Sequence, residues 1–152
     1  MIVRAVLSDA EILTEIAMAS KAYWGYTDEQ VESWREDLTI TPQMFEDWNI
    51  YKYLVDGQIA GFYILNRANI RTSFLEFLFI SPNYIKQGIG YQLLQHAVEY
   101  CKAGSSAILN VLSDPNAQSF YAKYGFEVIA ERESSIPGRI LPEMELLFPE
   151  NQ

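Results

Sequence analysis

The sequence predicts an α+β fold of three layers, α/β/α: a central mixed, mostly antiparallel sheet of about seven strands flanked by helices. Three observations predict it. The dipeptide Asp56-Gly57 separates two β-prone runs and marks a two-residue antiparallel hairpin. An apolar run, a glycine-bearing loop and a long amphipathic segment follow in order from 71 to 102. A second apolar run begins at Ala107, so the amphipathic segment is a crossover helix, and such a connection makes the sheet mixed and covers both its faces.

Residues 2–6 are a β-prone run, and Ser8 stands before acidic Asp9 and Glu11 as an expected helix cap. Ile12, Ile16 and Ala19, with Leu13, Ala17 and Ser20, recur at helical spacing to about Ala22, where Gly25 ends the pattern. Thr27 and Gln30 have the spacing of a capping box for a helix reaching about Leu38, and Thr41-Pro42 opens a short helical turn toward Trp48. Strands are expected over 50–55 and 59–66, then over 71–80, after which Ser81-Pro82-Asn83 breaks regular structure. The helix over 88–102 puts Ile89, Leu93, Leu94 and Ala97 on one face and stops at Gly104. A strand over 107–112, a helix over 116–124 closed by Gly125, and strands over 126–131 and 144–148 complete the order βααβββαβαββ.

A chain of 152 residues, near the roughly 150 of a typical domain, predicts a single domain over residues 1–152. Its 49% hydrophobic and 20% charged residues exclude a wholly disordered, collagenous or coiled-coil chain. The net charge of −9 repels phosphate backbones and anionic lipid, so neither nucleic acid nor a membrane is the expected partner. No apolar run approaches the roughly 20 residues that span a bilayer. The single cysteine, Cys101, has no thiol partner for an internal disulfide or a zinc site, and with no signal-peptide pattern at the N-terminus the expected location is the cytoplasm.

The segment Ile85-Lys86-Gln87-Gly88-Ile89-Gly90, between strand and helix, carries the most chemical information. Glycines let the backbone approach a ligand, and the unpaired N–H groups of a helix start, with the positive dipole end behind them, suit a pyrophosphate. A Walker loop fails because no Gly-Lys-Ser/Thr follows, and a dinucleotide fingerprint fails because position 93 is leucine.

These residues, with Leu78-Phe79-Ile80-Ser81-Pro82 before them and Leu93-Leu94, Asn116-Ala117, Phe120-Tyr121 and Gly125-Phe126 after them, resemble in order the GNAT superfamily of acyl-CoA-dependent N-acetyltransferases. The resemblance implies a GNAT-type acyl-CoA N-acyltransferase fold with acetyl-CoA as acyl donor and no metal. It implies that Leu78, Phe79 and Ile80 pair with the pantetheine arm as an added strand, and that the Leu78 N–H polarises the acyl carbonyl. The backbone of Lys86, Gln87, Gly88, Ile89, Gly90 and Tyr91 would cradle the pyrophosphate. Ile85 departs from the family pattern, which has glutamine or arginine there, and so removes one side-chain ligand. Tyr121 matches the tyrosine that protonates the departing thiolate, a task open to a phenol of ordinary pKa near 10. Asn116 matches a cofactor-contacting residue and also reads as a helix N-cap.

The general base is either Glu76 or a water chain. Glu76 lies between Leu75 and Phe77 on an apolar strand, where burial would raise its pKa. Asn110, near a position where some relatives carry a glutamate, cannot accept a proton. His96 and Cys101 are expected to be structural. The acceptor region implied by the resemblance contains Trp24 and Tyr26 after the first helix, and Arg139 on the Pro137-Gly138 turn, which either grips a substrate carboxylate or pairs with an acid. The expected activity is transfer of the acetyl group of acetyl-CoA to a primary amine of a small-molecule acceptor. The alternatives are a non-catalytic acyl-CoA-binding or regulatory module and a purely structural protein, and a homodimer through sheet edges or helices stays open.

Overall fold

The computed structural model describes residues 1–149; residues 150–152, the end of the expected 1–152 domain, lie outside the described residues. Its seven strands form one sheet in the order β1-β2-β3-β4-β5-β7-β6, with flanking helices. The strands are β1 (Ile2–Arg4), β2 (Asn49–Val55), β3 (Gln58–Asn66), β4 (Thr72–Ile80), β5 (Ile108–Leu112), β6 (Glu127–Glu133) and β7 (Ile140–Leu147). The helices are α1 (Ala10–Tyr23), α2 (Asp28–Ser33), α3 (Arg35–Leu38), α4 (Pro42–Asp47), α5 (Ile89–Ala103) and α6 (Gln118–Tyr124). The chain divides into two compact units, Met1–Leu65 with Phe77–Ala97, and Asn66–Glu76 with the chain from Val98 onward.

In the first unit the Asp56-Gly57 turn joins β2 to β3 with φ of 50° and 79°, the left-handed pair that a type I′ hairpin requires. Six consecutive residues of β3, from 60 to 65, are buried, so this strand is covered on both faces and its side chains anchor the core. Gly61 is there for space: a Cβ would come 2.7 Å from Ile80 Cδ1 and 2.8 Å from the Phe79 carbonyl oxygen. Leu13, Ile16 and Ala17 form the buried stripe of α1, and Leu93, Leu94 and Ala97 that of α5. Both follow the helical period read in the sequence.

Local capping differs from expectation at two places in this unit. Ser8 lies inside a 3-10 turn, Leu7–Asp9, and the Asp9 carboxylate accepts the Val6 N–H at 2.9 Å while pairing with Lys52 at 2.8 Å. A carboxylate with a lysine beside it competes better for a free N–H than a hydroxyl does. The Thr27–Gln30 capping box forms reciprocally at 2.9 and 3.1 Å, but its helix ends at Ser33 rather than Leu38. Trp34, nearly buried, takes a bridge-region backbone (φ −96°, ψ 0°) and α3 restarts behind it.

In the second unit β4 and β5 are parallel, with Thr72, Ser73, Phe74 and Leu75 opposite Ile108, Leu109, Asn110 and Val111. β7 pairs antiparallel with both β5 and β6. Leu109, Val111, Met144, Tyr121, Phe126 and Cys101 are buried, and the hydroxyls of Ser73 and Ser106 satisfy each other at 2.7 Å. The expected helix over 116–124 is a 3-10 turn, Pro115–Ala117, followed by α6. Its cap is Asp114, whose side chain accepts the Asn116 N–H at 2.9 Å, so Asn116 is capped and does not cap.

Candidate active site

The first unit supplies a site made of backbone. Beyond Leu75 the β4–β5 ladder stops, yet β4 runs on through Leu78 and Phe79 to Ile80. Pro82–Tyr84 forms a 3-10 turn, and the chain reaches α5 with Lys86 at φ 62° and Gly88 at φ 77°. Two left-handed residues fold the loop back over the helix start, and a Cβ on Gly88 would meet nothing within 4 Å. The Gly88 carbonyl accepts the Gln92 N–H at 3.1 Å, so the amides of Ile89, Gly90 and Tyr91 belong to the first turn, where no intrahelical acceptor precedes them. Lys86, Gln87, Gly88 and Tyr91 are exposed. This open turn lies at the positive end of a 15-residue helix, where backbone amides could hold an anion such as a pyrophosphate.

The residues of this unit expected to line the acceptor site differ from one another. Tyr26 packs edge-on against Trp34 with ring centroids 4.9 Å apart, whereas Trp24 leans on Tyr23 at 5.3 Å and stays half exposed. Sequence reasoning missed Lys21, whose Nζ lies 5.5 Å from the Trp34 ring centroid and 5.8 Å from that of Phe79. Lys21 is four residues before Gly25 in the last turn of α1, but nothing in the spacing announces Trp34 or Phe79 beside it. His96 Nδ1 lies 2.7 Å from the Tyr63 hydroxyl; burial holds its pKa below the ordinary 6.5 and so favours a neutral ring. An open groove on α2, lined by Asp28, Glu29, Glu32 and Ser33, contains none of the expected site residues.

The second unit supplies side chains. Tyr121 is 5% exposed between Phe120 and Phe126, and burial pushes its phenol well above the usual range, so the proton stays on at neutral pH. Glu76 is exposed, and its Oε2 accepts from Asn66 Nδ2 at 3.0 Å. The burial expected for Glu76 is therefore missing, because its side chain falls on an uncovered stretch of the strand.

Arg139 donates to Asp114 at 2.6 Å and to Ser134 at 3.0 Å, and the Arg139 and Asp114 side chains are 11% and 13% exposed. The pair brings Arg139 to the same capping carboxylate that holds Asn116. Of the two readings of Arg139, pairing with an acid is the one observed, although the acid is half-buried and not on the surface.

A carboxylate that sequence reasoning missed lies nearby in the same unit. Glu143 accepts from Arg132 at 2.7 Å and from Asn110 at 3.0 Å, and these bonds, Arg132's first, hold its pKa below the ordinary 4.5. Asn110 thus donates to a carboxylate and holds it in place. Cys101 is buried and its thiol is pushed up by desolvation, the opposite of an activated nucleophile. Among the described residues no group of three or more His, Cys, Asp or Glu could hold a metal ion, and no helix is long and apolar enough to cross a membrane.

A family profile described as an acetyltransferase (GNAT) domain matches residues 23–148. A search of curated protein sequences finds no match. Among solved structures, a GCN5-related N-acetyltransferase from Rhodopseudomonas palustris aligns with TM-score 0.82 at 22% identity, covering 97% of this chain and 95% of that one. The PaiA N-acetyltransferase from Thermoplasma acidophilum, in complex with coenzyme A, aligns with TM-score 0.79 at 23% identity, covering 97% and 98%. The ribosomal-protein-S18-alanine N-acetyltransferase from Escherichia coli aligns with TM-score 0.77 at 18% identity, covering 100% and 96%. These likenesses are likenesses of fold, and the profile adds the family: the chain belongs to the GNAT acetyltransferases.

Proposed function

We propose that this chain, as one domain over residues 1–152, transfers the acetyl group of acetyl-CoA to a primary amine of a small-molecule acceptor in the cytoplasm, by direct attack in a ternary complex. The observation that carries the proposal is the strand edge with its loop: β4 outruns its β5 ladder and leads into a left-handed turn at the start of α5. The coenzyme A present in the PaiA structure supports it.

Each role follows from the chemistry of the group. Residues 78–80 offer backbone donors and acceptors to the pantetheine amides as an added strand would. The Leu78 N–H donates to the acyl oxygen as it gains charge, an interaction worth about 3 kcal/mol in comparable oxyanion holes. Residues 86–91 hold the pyrophosphate by their amides, and Lys86 adds a cation. Asn116, ordered by Asp114, contacts the coenzyme. Tyr121, kept protonated by burial, donates to the leaving thiolate. Glu76 or a water takes the proton from the acceptor ammonium, while Trp24 and Tyr26 wall the acceptor. Arg139 reaches an acceptor carboxylate only by giving up part of its hold on Asp114.

Calorimetry with acetyl-CoA at fixed pH tests the reading. Micromolar binding that is lost in Gly90→Trp, together with coenzyme A release on an amine panel, is the expected result. No binding to the native chain overturns it, and binding without turnover on any amine assigns the chain to the non-catalytic alternative that Ile85 suggests.

A further inference from the structure

The Arg139–Asp114 pair joins two segments that other bonds already fold. Around Asp114 the main chain is held without the carboxylate. The buried Ser113 donates its N–H to the Pro142 carbonyl at 2.8 Å and its hydroxyl to the Asp114 carbonyl at 2.7 Å, and the Ala117 N–H reaches that same carbonyl at 2.9 Å. Pro115 opens the turn, where its fixed φ suits a helical start. The segment 134–139 closes on itself in the same way. The Ser134 N–H donates to the Arg139 carbonyl at 3.0 Å, the Arg139 N–H to the Ile136 carbonyl at 3.1 Å, and the Ile136 N–H to Ser134 Oγ at 3.0 Å, with Gly138 at φ 82°. One guanidinium and one carboxylate, 11% and 13% exposed, therefore link two turns at the expense of desolvating both charges.

The carboxylate divides its oxygens between the two sides. Oδ2 accepts from Arg139 at 2.6 Å, while Oδ1 accepts both the main-chain N–H and the side-chain Nδ2 of Asn116, each at 2.9 Å. A carboxylate can only accept, so it decides which end of the Asn116 amide faces it: Nδ2 turns toward Asp114, and the amide oxygen lies at the other end. Asn116 is exposed, so a ligand can reach its side chain. We infer that Arg139 is a positioning residue for coenzyme binding, acting through Asp114 to fix the sense in which the Asn116 amide meets the coenzyme; this rests on the acetyl-CoA reading with Asn116 as a coenzyme contact. The same link couples the turn assigned above to the acceptor with the coenzyme. An acceptor carboxylate that draws Arg139 off Asp114 releases Asn116, so it and the coenzyme weaken each other's binding.

Calorimetry with acetyl-CoA on four full-length chains tests this: the native chain, Asn116→Ala, Arg139→Met and the double variant, each measured below its melting temperature and shown to be folded by circular dichroism. Each single change is expected to weaken acetyl-CoA about fivefold, the worth of one hydrogen bond, and the double change by about the same fivefold, because both remove one interaction. Arg139→Lys, which returns a cation to Asp114, should bring the affinity back to within about twofold of native. If Arg139→Met does not fold, Asp114→Asn takes its place in the cycle, since an amide keeps the shape but can face Asn116 with either end. An Arg139 that only stabilises the fold lowers the melting temperature and leaves the affinity unchanged. That result overturns the inference, as does a double variant weakened by about 25-fold, the product of two independent effects. The failures are distinguishable: a native chain that does not bind acetyl-CoA removes the transfer itself, and Asn116→Ala without effect removes the Asn116 contact together with this role of Arg139. Native binding that is weakened in Asn116→Ala but not in Arg139→Met removes only the role of Arg139.

Discussion

The two units contribute to the proposed reaction by different means. The first works through main chain: residues 78–80 present a strand edge, and residues 86–91 a turn whose amides are held by φ angles that only the local backbone sets. The second would work through side chains: Tyr121, Asn116 and Arg139 each depend on a particular atom in a particular place. Backbone recognition tolerates a changed residue type, which is why Ile85 is compatible with the loop, while side-chain chemistry does not. The units should therefore respond to substitution in opposite ways.

Breaking the Arg139–Asp114 pair has the largest expected effect. Arg139→Ala removes the guanidinium from a largely buried carboxylate and should cost about 3 kcal/mol in a denaturant melt. Unchanged stability with a raised KM for acidic acceptors would instead make Arg139 a substrate ligand. Next, Tyr121→Phe should lower kcat by roughly 100-fold, about 2.7 kcal/mol, with acetyl-CoA affinity within about twofold by calorimetry. Unaltered kcat removes the tyrosine from the chemistry and with it the claim that the second unit supplies reacting groups.

In the first unit the sensitive position should be one of space, not chemistry. Gly61→Ala drives a Cβ into the Phe79 carbonyl and should cost about 2 kcal/mol in the same melt while weakening acetyl-CoA binding through the displaced strand. Full stability there would show that β3 and the Phe79 backbone yield easily.

The smallest effect is a pH dependence. The Glu143 pKa lies below its ordinary 4.5, so its contribution is present above about pH 4.5 and is lost as pH falls through the native value. Arg132→Gln should lower stability slightly near pH 6, by under about 1 kcal/mol because Arg132 is largely exposed, and the gap should close as pH falls through the native Glu143 pKa. A gap independent of pH would mean that the arginine stabilises by packing alone.

Much of the fold was legible because its signals are local. The Asp56-Gly57 turn, the Thr27–Gln30 box, the α5 face and the glycine at the end of α6 involve residues within a few positions of one another, and all four appear where the sequence puts them. The Asp-Pro-Asn segment is a capping signal too, but the cap it forms is Asp114 and not Asn116. The backbone half of the candidate site was legible for the same reason, as a loop between strand and helix.

Chain chemistry alone thus determined the element order, the mixed sheet, the glycine loop and the family likeness, all written in neighbouring residues. Tertiary structure decided what depends on register and burial: that Glu76 is exposed and Tyr121 buried, that Asn110 serves Glu143, that Arg139 is held by Asp114, and that Lys21 lies between two rings. A one-residue shift in strand pairing would turn Glu76 and Asn110 to the other face, while Tyr121, Arg139 and Lys21 are placed by helix and loop packing; both are set by the sum of packing over the core, which no short stretch of sequence contains.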